Sequence, residues 1–164
     1  NWLDRDPEIK CYLPGVPRAT YMHLPFQIFH SEKAIFFAYE YAGAVRNIYL
    51  DDPGPAPVDS WMGQSWGYWE DNTLVVEVSG FNDQTWFDRS GNFHSDQLKV
   101  TERYTLINQH IMNYEATIED EKTFTRPWKI SMNLYKRVGK DAQLQQFKCV
   151  EFVEELIYGK WRGD

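Results

Sequence analysis

The sequence predicts an all-β fold: an antiparallel, up-and-down, lipocalin-like barrel of about nine strands, preceded by an extended N-terminal arm. Three observations carry this expectation. The chain has 164 residues, about the length of one domain with one core. Aromatic residues make up 16% of it, with ten Tyr, ten Phe and seven Trp, types that favour strands and line ligand pockets. From Phe26 onward, short apolar runs follow one another with turn residues between them, a rhythm that leaves little room for helices. Closing such a meander into a barrel removes the exposed edges; a two-sheet sandwich is the alternative arrangement.

Residues 1–24 contain Pro7, Pro14, Gly15 and Pro17 and show no period, which reads as an arm laid over a single barrel domain of residues 25–164. The strand-like runs are then "FQIFH", "KAIFFAYEY", "AVRNIYL", "SWGYWE", "TLVVEVSGF", "LKVTERYTL", "HIMNYEATI", "WKISMNLYKR" and "QLQQFKCVEF", and the closing "VEELIYGKW" suggests a short helix. In "LKVTERYTL", Leu98, Val100, Glu102, Tyr104 and Leu106 share one face, and in the next run the apolar set is Met112, Tyr114, Ala116 and Ile118. A two-residue turn would put these sets on opposite faces. A three-residue loop at 107–109 keeps them together, with Tyr104 opposite Met112 and Glu102 opposite Tyr114, and so predicts Glu102 on the inner face beside Tyr114. The same reasoning places a two-residue turn at Asp71-Asn72 and groups Trp69 with Leu74, Val76 and Val78. A turn at Ala42-Gly43 groups Arg46 with Tyr39, Tyr41, Ile48 and Leu50. Both faces of "AIFFAYEY" are apolar apart from Glu40, so the N-terminal arm is expected to cover the outside of that hairpin.

Charge and motifs narrow the function classes. The net charge is -7 and the basic residues are scattered singly, which argues against a nucleic-acid partner. No run approaches the roughly 20 apolar residues of a membrane span, so membrane insertion is not expected. The chain begins with Asn1 rather than Met, which fits a processed mature form or a shortened chain. No G-x-S-x-G elbow, C-x-x-C or glycine-rich phosphate loop is present, and no cofactor is expected. Cys11 and Cys149, near the two ends, could form a disulfide tying the arm to the last strand, or be two buried free thiols.

Two places could carry chemistry. Glu102 on an apolar inner face is costly unless paired, and desolvation would raise its pKa towards useful acid-base values; pairing with Arg46 is the structural alternative. The stretch "GFNDQTWFDRSGNFHSDQ", residues 80–97, holds Asp83, Asp88, His94 and Asp96 beside Trp86. There His94 could act as a proton carrier with Asp88 or Asp96 orienting it, or the whole segment could be an anchored turn. A calcium loop is disfavoured by the missing D-x-[DN]-x-[DN]-G spacing, and a site joining His94 and Asp96 to His23, His30 or His110 lacks any spaced pair on one strand, so no metal is assigned.

The run "WMGQSWGYWEDNTLVVEVSGFNDQTWFDRSGNFHSDQLKVTERY", with "DPEIKCYLPGVPR" before it and "FTRPWKISMNLYKR" and "FKCVEFVEE" after it, resembles an abundant family of bacterial proteins that has no established activity. The resemblance covers nearly the whole chain. It implies export, to the periplasm or beyond, a Cys11–Cys149 disulfide and a longer N-terminal part, and it assigns no catalytic residue.

The expected function is binding of a small, partly apolar or aromatic molecule in the barrel. Tyr39, Tyr41, Trp69, Trp86, Tyr104, Tyr114 and Trp128 would line the site and Arg46 would supply a polar handle. Cofactor-independent acid-base catalysis by His94, Asp88, Asp96 and Glu102, of dehydratase, isomerase or hydrolase type, is the catalytic version. The other readings are a carbohydrate-binding or subunit-contact module using exposed Trp platforms, with a homo-oligomer allowed, and a metal-dependent enzyme.

Overall fold

A computed structural model describes residues 5–161 of the chain. Its body is one eight-stranded sheet in which every strand neighbours the next in sequence: β1 (Phe26–His30), β2 (Ala34–Tyr39), β3 (Val45–Tyr49), β4 (Gln64–Glu70), β5 (Thr73–Ser79), β6 (Lys99–Asn108), β7 (Ile111–Glu119) and β8 (Trp128–Tyr135). The sheet curls into a half-barrel with β1 and β8 as its two edges. Eight of the nine expected runs are strands. The ninth, "QLQQFKCVEF", has no two-residue alternation that would give it a buried face, and its first eight residues follow an irregular path.

All pairings are antiparallel except β3 with β4, which meet in parallel at Ile48 with Ser65 and Tyr49 with Trp66. The cause lies in the connection at 51–63, where Pro53, Pro55 and Pro57 keep the chain extended until Ser60 bridges Phe81 and β4 starts in the same direction as β3.

The hydrophobic alternation sorted the faces well, while two registers differ from expectation by two residues. Tyr104 pairs with Tyr114 and Glu102 with Ala116, because a bulge between Leu106 and Asn108 is followed by a tight turn whose amides at His110 and Ile111 donate to Asn108 Oδ1. A two-residue shift preserves the parity of the pleat, so Glu102 and Tyr114 still share the concave face. At β2–β3 the turn is a 3-10 segment, Tyr41–Gly43, and Arg46 stands opposite Phe37. The Asp71-Asn72 turn forms as expected, with Asp71 at φ 50.

The core fills the concave side with Phe37, Ile48, Val76, Val100, Tyr114 and Ile118, all below 2% exposed. The arm enters this concavity. Val16 and Ala19 are part of the core cluster, the latter on the one-turn helix α1 (Arg18–Tyr21). The outside of the β1–β3 hairpins stays uncovered, with Phe29, Val45 and Tyr49 each more than two-fifths exposed. The arm serves better inside because an open half-barrel has a concave apolar surface larger than its own side chains fill. After β8 the chain crosses to the β2–β3 turn, where the Gln145 amide donates to Glu40 Oε2 and Phe147 meets Tyr41. Cys149 is bonded to Cys11, and the short helix α2 (Val153–Tyr158) follows.

Candidate functional site

Inward-facing side chains of β3, β6 and β7 converge on Glu102, which is fully buried. Arg46 on β3 reaches past β4 and β5 to pair with Oε2 of Glu102, while its Nε donates to Ser65 Oγ at 2.8 Å. The other carboxylate oxygen, Oε1, accepts from the Tyr104 hydroxyl at 2.9 Å and the Tyr114 hydroxyl at 2.7 Å. Tyr104 Oη also lies 3.4 Å from Thr20 Oγ1 of α1, so the arm touches the same network. Burial works against the charged Arg46, yet the Glu102 carboxylate more than offsets it and holds the guanidinium protonated. Burial, and then the adjacent carboxylate, push Tyr104 and Tyr114 well above the ordinary phenol range. Tyr39 is raised by burial as well, and its hydroxyl and Arg46 Nη1 have no hydrogen-bond partner among the described residues. Both Glu102 oxygens are thus taken up by a guanidinium and two phenols inside the core, and neither is turned towards a space a substrate could enter.

The 80–97 stretch is a tightly tied loop. His94 is 2% exposed, edge-on to Phe81 and tilted against Phe87. Its Nδ1 lies 2.9 Å from the Ser95 carbonyl, which can only accept, so Nδ1 carries the proton and Nε2 accepts from the Thr85 hydroxyl at 2.5 Å. Burial pushes the imidazole pKa down, against the Ser95 carbonyl and Asp120, so the neutral form is favoured. Gly15, at φ 73, allows this arrangement: a Cβ there would fall 2.6 Å from Thr85 Oγ1. Asp88 accepts from the amides of Ser90 and Asn92 and from the Asn92 side chain, an Asx turn. Asp96 is exposed and paired with Lys122 at 2.7 Å, and neither aspartate contacts His94. The segment is anchored further by Asp120, which accepts from the Ser95 amide and hydroxyl, and by Arg18, which donates to the Trp86 carbonyl and pairs with Asp6 at 2.9 Å.

The aromatic candidates separate in the same way. Trp128 is half-buried, edge-on to Phe87 and Phe124. Tyr41 sits in the β2–β3 turn and donates to the Glu8 carbonyl at 2.8 Å. Trp86 bridges to Phe93 within its own loop. Trp69, although it shares a face with Leu74, lies at the end of β4 and is 53% exposed, near His30. Trp66 and Tyr68 lie on the outer surface at 43° to each other, not as a flat platform. Among the described residues no three His, Cys, Asp or Glu side chains are grouped to hold a metal ion.

A cleft of about 620 Å³ lies elsewhere, on the open side of the half-barrel, bordered by both edge strands. Its apolar wall includes Phe26 and Ile28 of β1, Met112 of β7, Leu134 of β8 and Leu144 of the crossing segment. Thr20, the residue that meets Tyr104, also borders it. Glu102, Arg46 and His94 do not. Sequence reasoning missed this cleft because a closed barrel has no β1–β8 gap; the available signal was the apolar stretch "YMHLPF" leading into β1. A second, shallower cavity of about 420 Å³ is bordered by Glu8, Arg18, Asp88 and Arg89 and is dominated by their ion pairs.

No protein-family model matches the chain, nor does any curated protein or solved structure.

Proposed function

We propose that the protein binds a small, partly apolar molecule in the cleft between β1 and β8, and that the binding does not involve an acid-base step. The observation that carries this reading is the cleft itself: about 620 Å³ with a mainly apolar wall, within the size range of small-ligand sites. The catalytic version is weaker because Glu102 is committed to Arg46, Tyr104 and Tyr114, and His94 to Thr85 and Ser95, and neither group reaches the cleft. A general base must come within hydrogen-bond reach of its substrate. Export to an oxidising compartment belongs to the same proposal and is supported by the Cys11–Cys149 disulfide.

The test is titration with the neutral fluorescent probe N-phenyl-1-naphthylamine. Saturable one-to-one binding is expected, weakened at least about tenfold in Ile28→Trp, which fills the cleft from a position already 40% exposed and so tolerant of size. Absence of saturable binding, or equal binding by Ile28→Trp, would reject the reading.

A further inference from the structure

The charge around the cleft is opposite to that of the chain. The protein carries 24 acidic and 17 basic residues, yet no Asp or Glu borders the cleft among the described residues, while Lys136, Arg137, His23 and His110 do. Lys136 and Arg137 follow directly on β8, are exposed, and form no ion pair with a described residue. The Lys136 amide is fixed to the His110 carbonyl at 2.9 Å, which keeps the backbone of this basic corner beside the β6–β7 turn. The net charge of -7 does not cancel this local field at physiological salt, because charges farther off than about 8 Å are largely screened whereas those at the cleft mouth are not. The rest of the wall is mostly apolar, with Met112 and Leu134 packed against the core, and its other polar residues, among them Gln27, Gln109 and Gln143, carry no charge.

From this juxtaposition we infer that the ligand is an amphipathic anion: an apolar chain or ring held between β1 and β8, with a carboxylate, sulfonate or similar head at Lys136 and Arg137. The inference rests on the proposed cleft binding and adds the ligand's chemical class. Negative heads on an apolar body gain twice here, from burial of the body and from two cations that have no competing carboxylate among the described residues. Cationic amphiphiles of the same length gain only the first.

The experiment displaces N-phenyl-1-naphthylamine with octanesulfonate and with octyltrimethylammonium, which share a chain length and differ in the sign of the head. Octanesulfonate should displace the probe at roughly tenfold lower concentration, the sum of two partly solvated charge contacts. In the variant K136E/R137E, both changes being at exposed positions, the order of the two competitors should reverse. Failure of the probe to bind wild-type protein would reject the cleft reading and this inference with it. Equal displacement by the two ions, or an order that K136E/R137E leaves unchanged, would overturn the inference alone and leave the cleft reading standing.

Discussion

Arg46 and Glu102 form an ion pair at the centre of the sheet, each no more than 2% exposed at the side chain. Moving two such charges out of water costs several kcal/mol per ion, and their mutual attraction is helped to offset it by Ser65, Tyr104 and Tyr114, which hydrogen-bond every part of the pair except Arg46 Nη1. Arg46→Met should therefore destabilise the fold by about 3–5 kcal/mol, since it leaves the Glu102 carboxylate buried without its cation. The double variant R46M/E102L should lose clearly less than the two single changes added together, a coupling that urea denaturation of the four-protein cycle would measure. Additive losses would show that the pair is not coupled in the folded state. One of the two readings of Glu102 was legible in the sequence: an acid in an otherwise apolar alternation, with an arginine in a similar position three runs earlier, either pairs with it or keeps a raised pKa for acid-base work, and the structure has the pair. What the alternation could not show is that two tyrosines share the same carboxylate oxygen, because that depends on a bulge after Leu106 that a face pattern does not encode.

At the level of elements, the 81–97 loop shows how residue types can suggest chemistry where backbone satisfaction is the use made of them. Asp88, Ser95 and Asp120 all serve amide or hydroxyl donors, and His94 is wedged between Phe81 and Phe87 with both ring nitrogens occupied. A pH dependence follows. Burial lowers the His94 pKa in the folded state below its ordinary 6.5, so the unfolded chain takes up a proton first as the pH falls. The contribution to stability is complete above pH 6.5 and is lost between 6.5 and the depressed folded value, by at most about 1.4 kcal/mol per pH unit. Denaturant midpoints measured between pH 7.5 and 5.5 should fall for the wild type and fall less for His94→Gln. Identical slopes would mean that His94 charges freely in the folded protein. The window is separable from that of Glu8 and Asp120, whose lowered pKa values make stability fade only as the pH drops through and below their ordinary 4.5 and 3.8. The segment after β8 is the opposite case. Its spacing of Leu144, Phe147 and Val150 does not alternate, and the structure uses Leu144 at the cleft, Phe147 on Tyr41 and Cys149 on Cys11, three separate contacts instead of a ladder.

For the whole molecule, the open edge between β1 and β8 is the feature that a barrel expectation hides, and the disulfide is what ties the two ends of the chain together near it. Cys11 and Cys149 are 138 residues apart, so the bond closes a loop that includes every strand, and loop entropy sets an upper value of about 5 kcal/mol for its contribution. A second consequence concerns the cleft. Ala142, Gln143 and Leu144 border it, and downstream of them the crossing segment is held by the Gln145–Glu40 hydrogen bond, the Phe147–Tyr41 contact and the disulfide. Without the bond, residues 142–144 keep the first two contacts but must be ordered partly at the expense of binding, at a cost of about 0.5–1.5 kcal/mol per side chain immobilised. The variant C11A/C149A should therefore melt lower and also bind N-phenyl-1-naphthylamine roughly threefold to tenfold more weakly at a temperature where it is still fully folded. Lower stability with unchanged probe binding would mean that the crossing segment holds its place at the cleft through Glu40 and Tyr41 alone, and that the disulfide acts on the unfolded chain and not on the site.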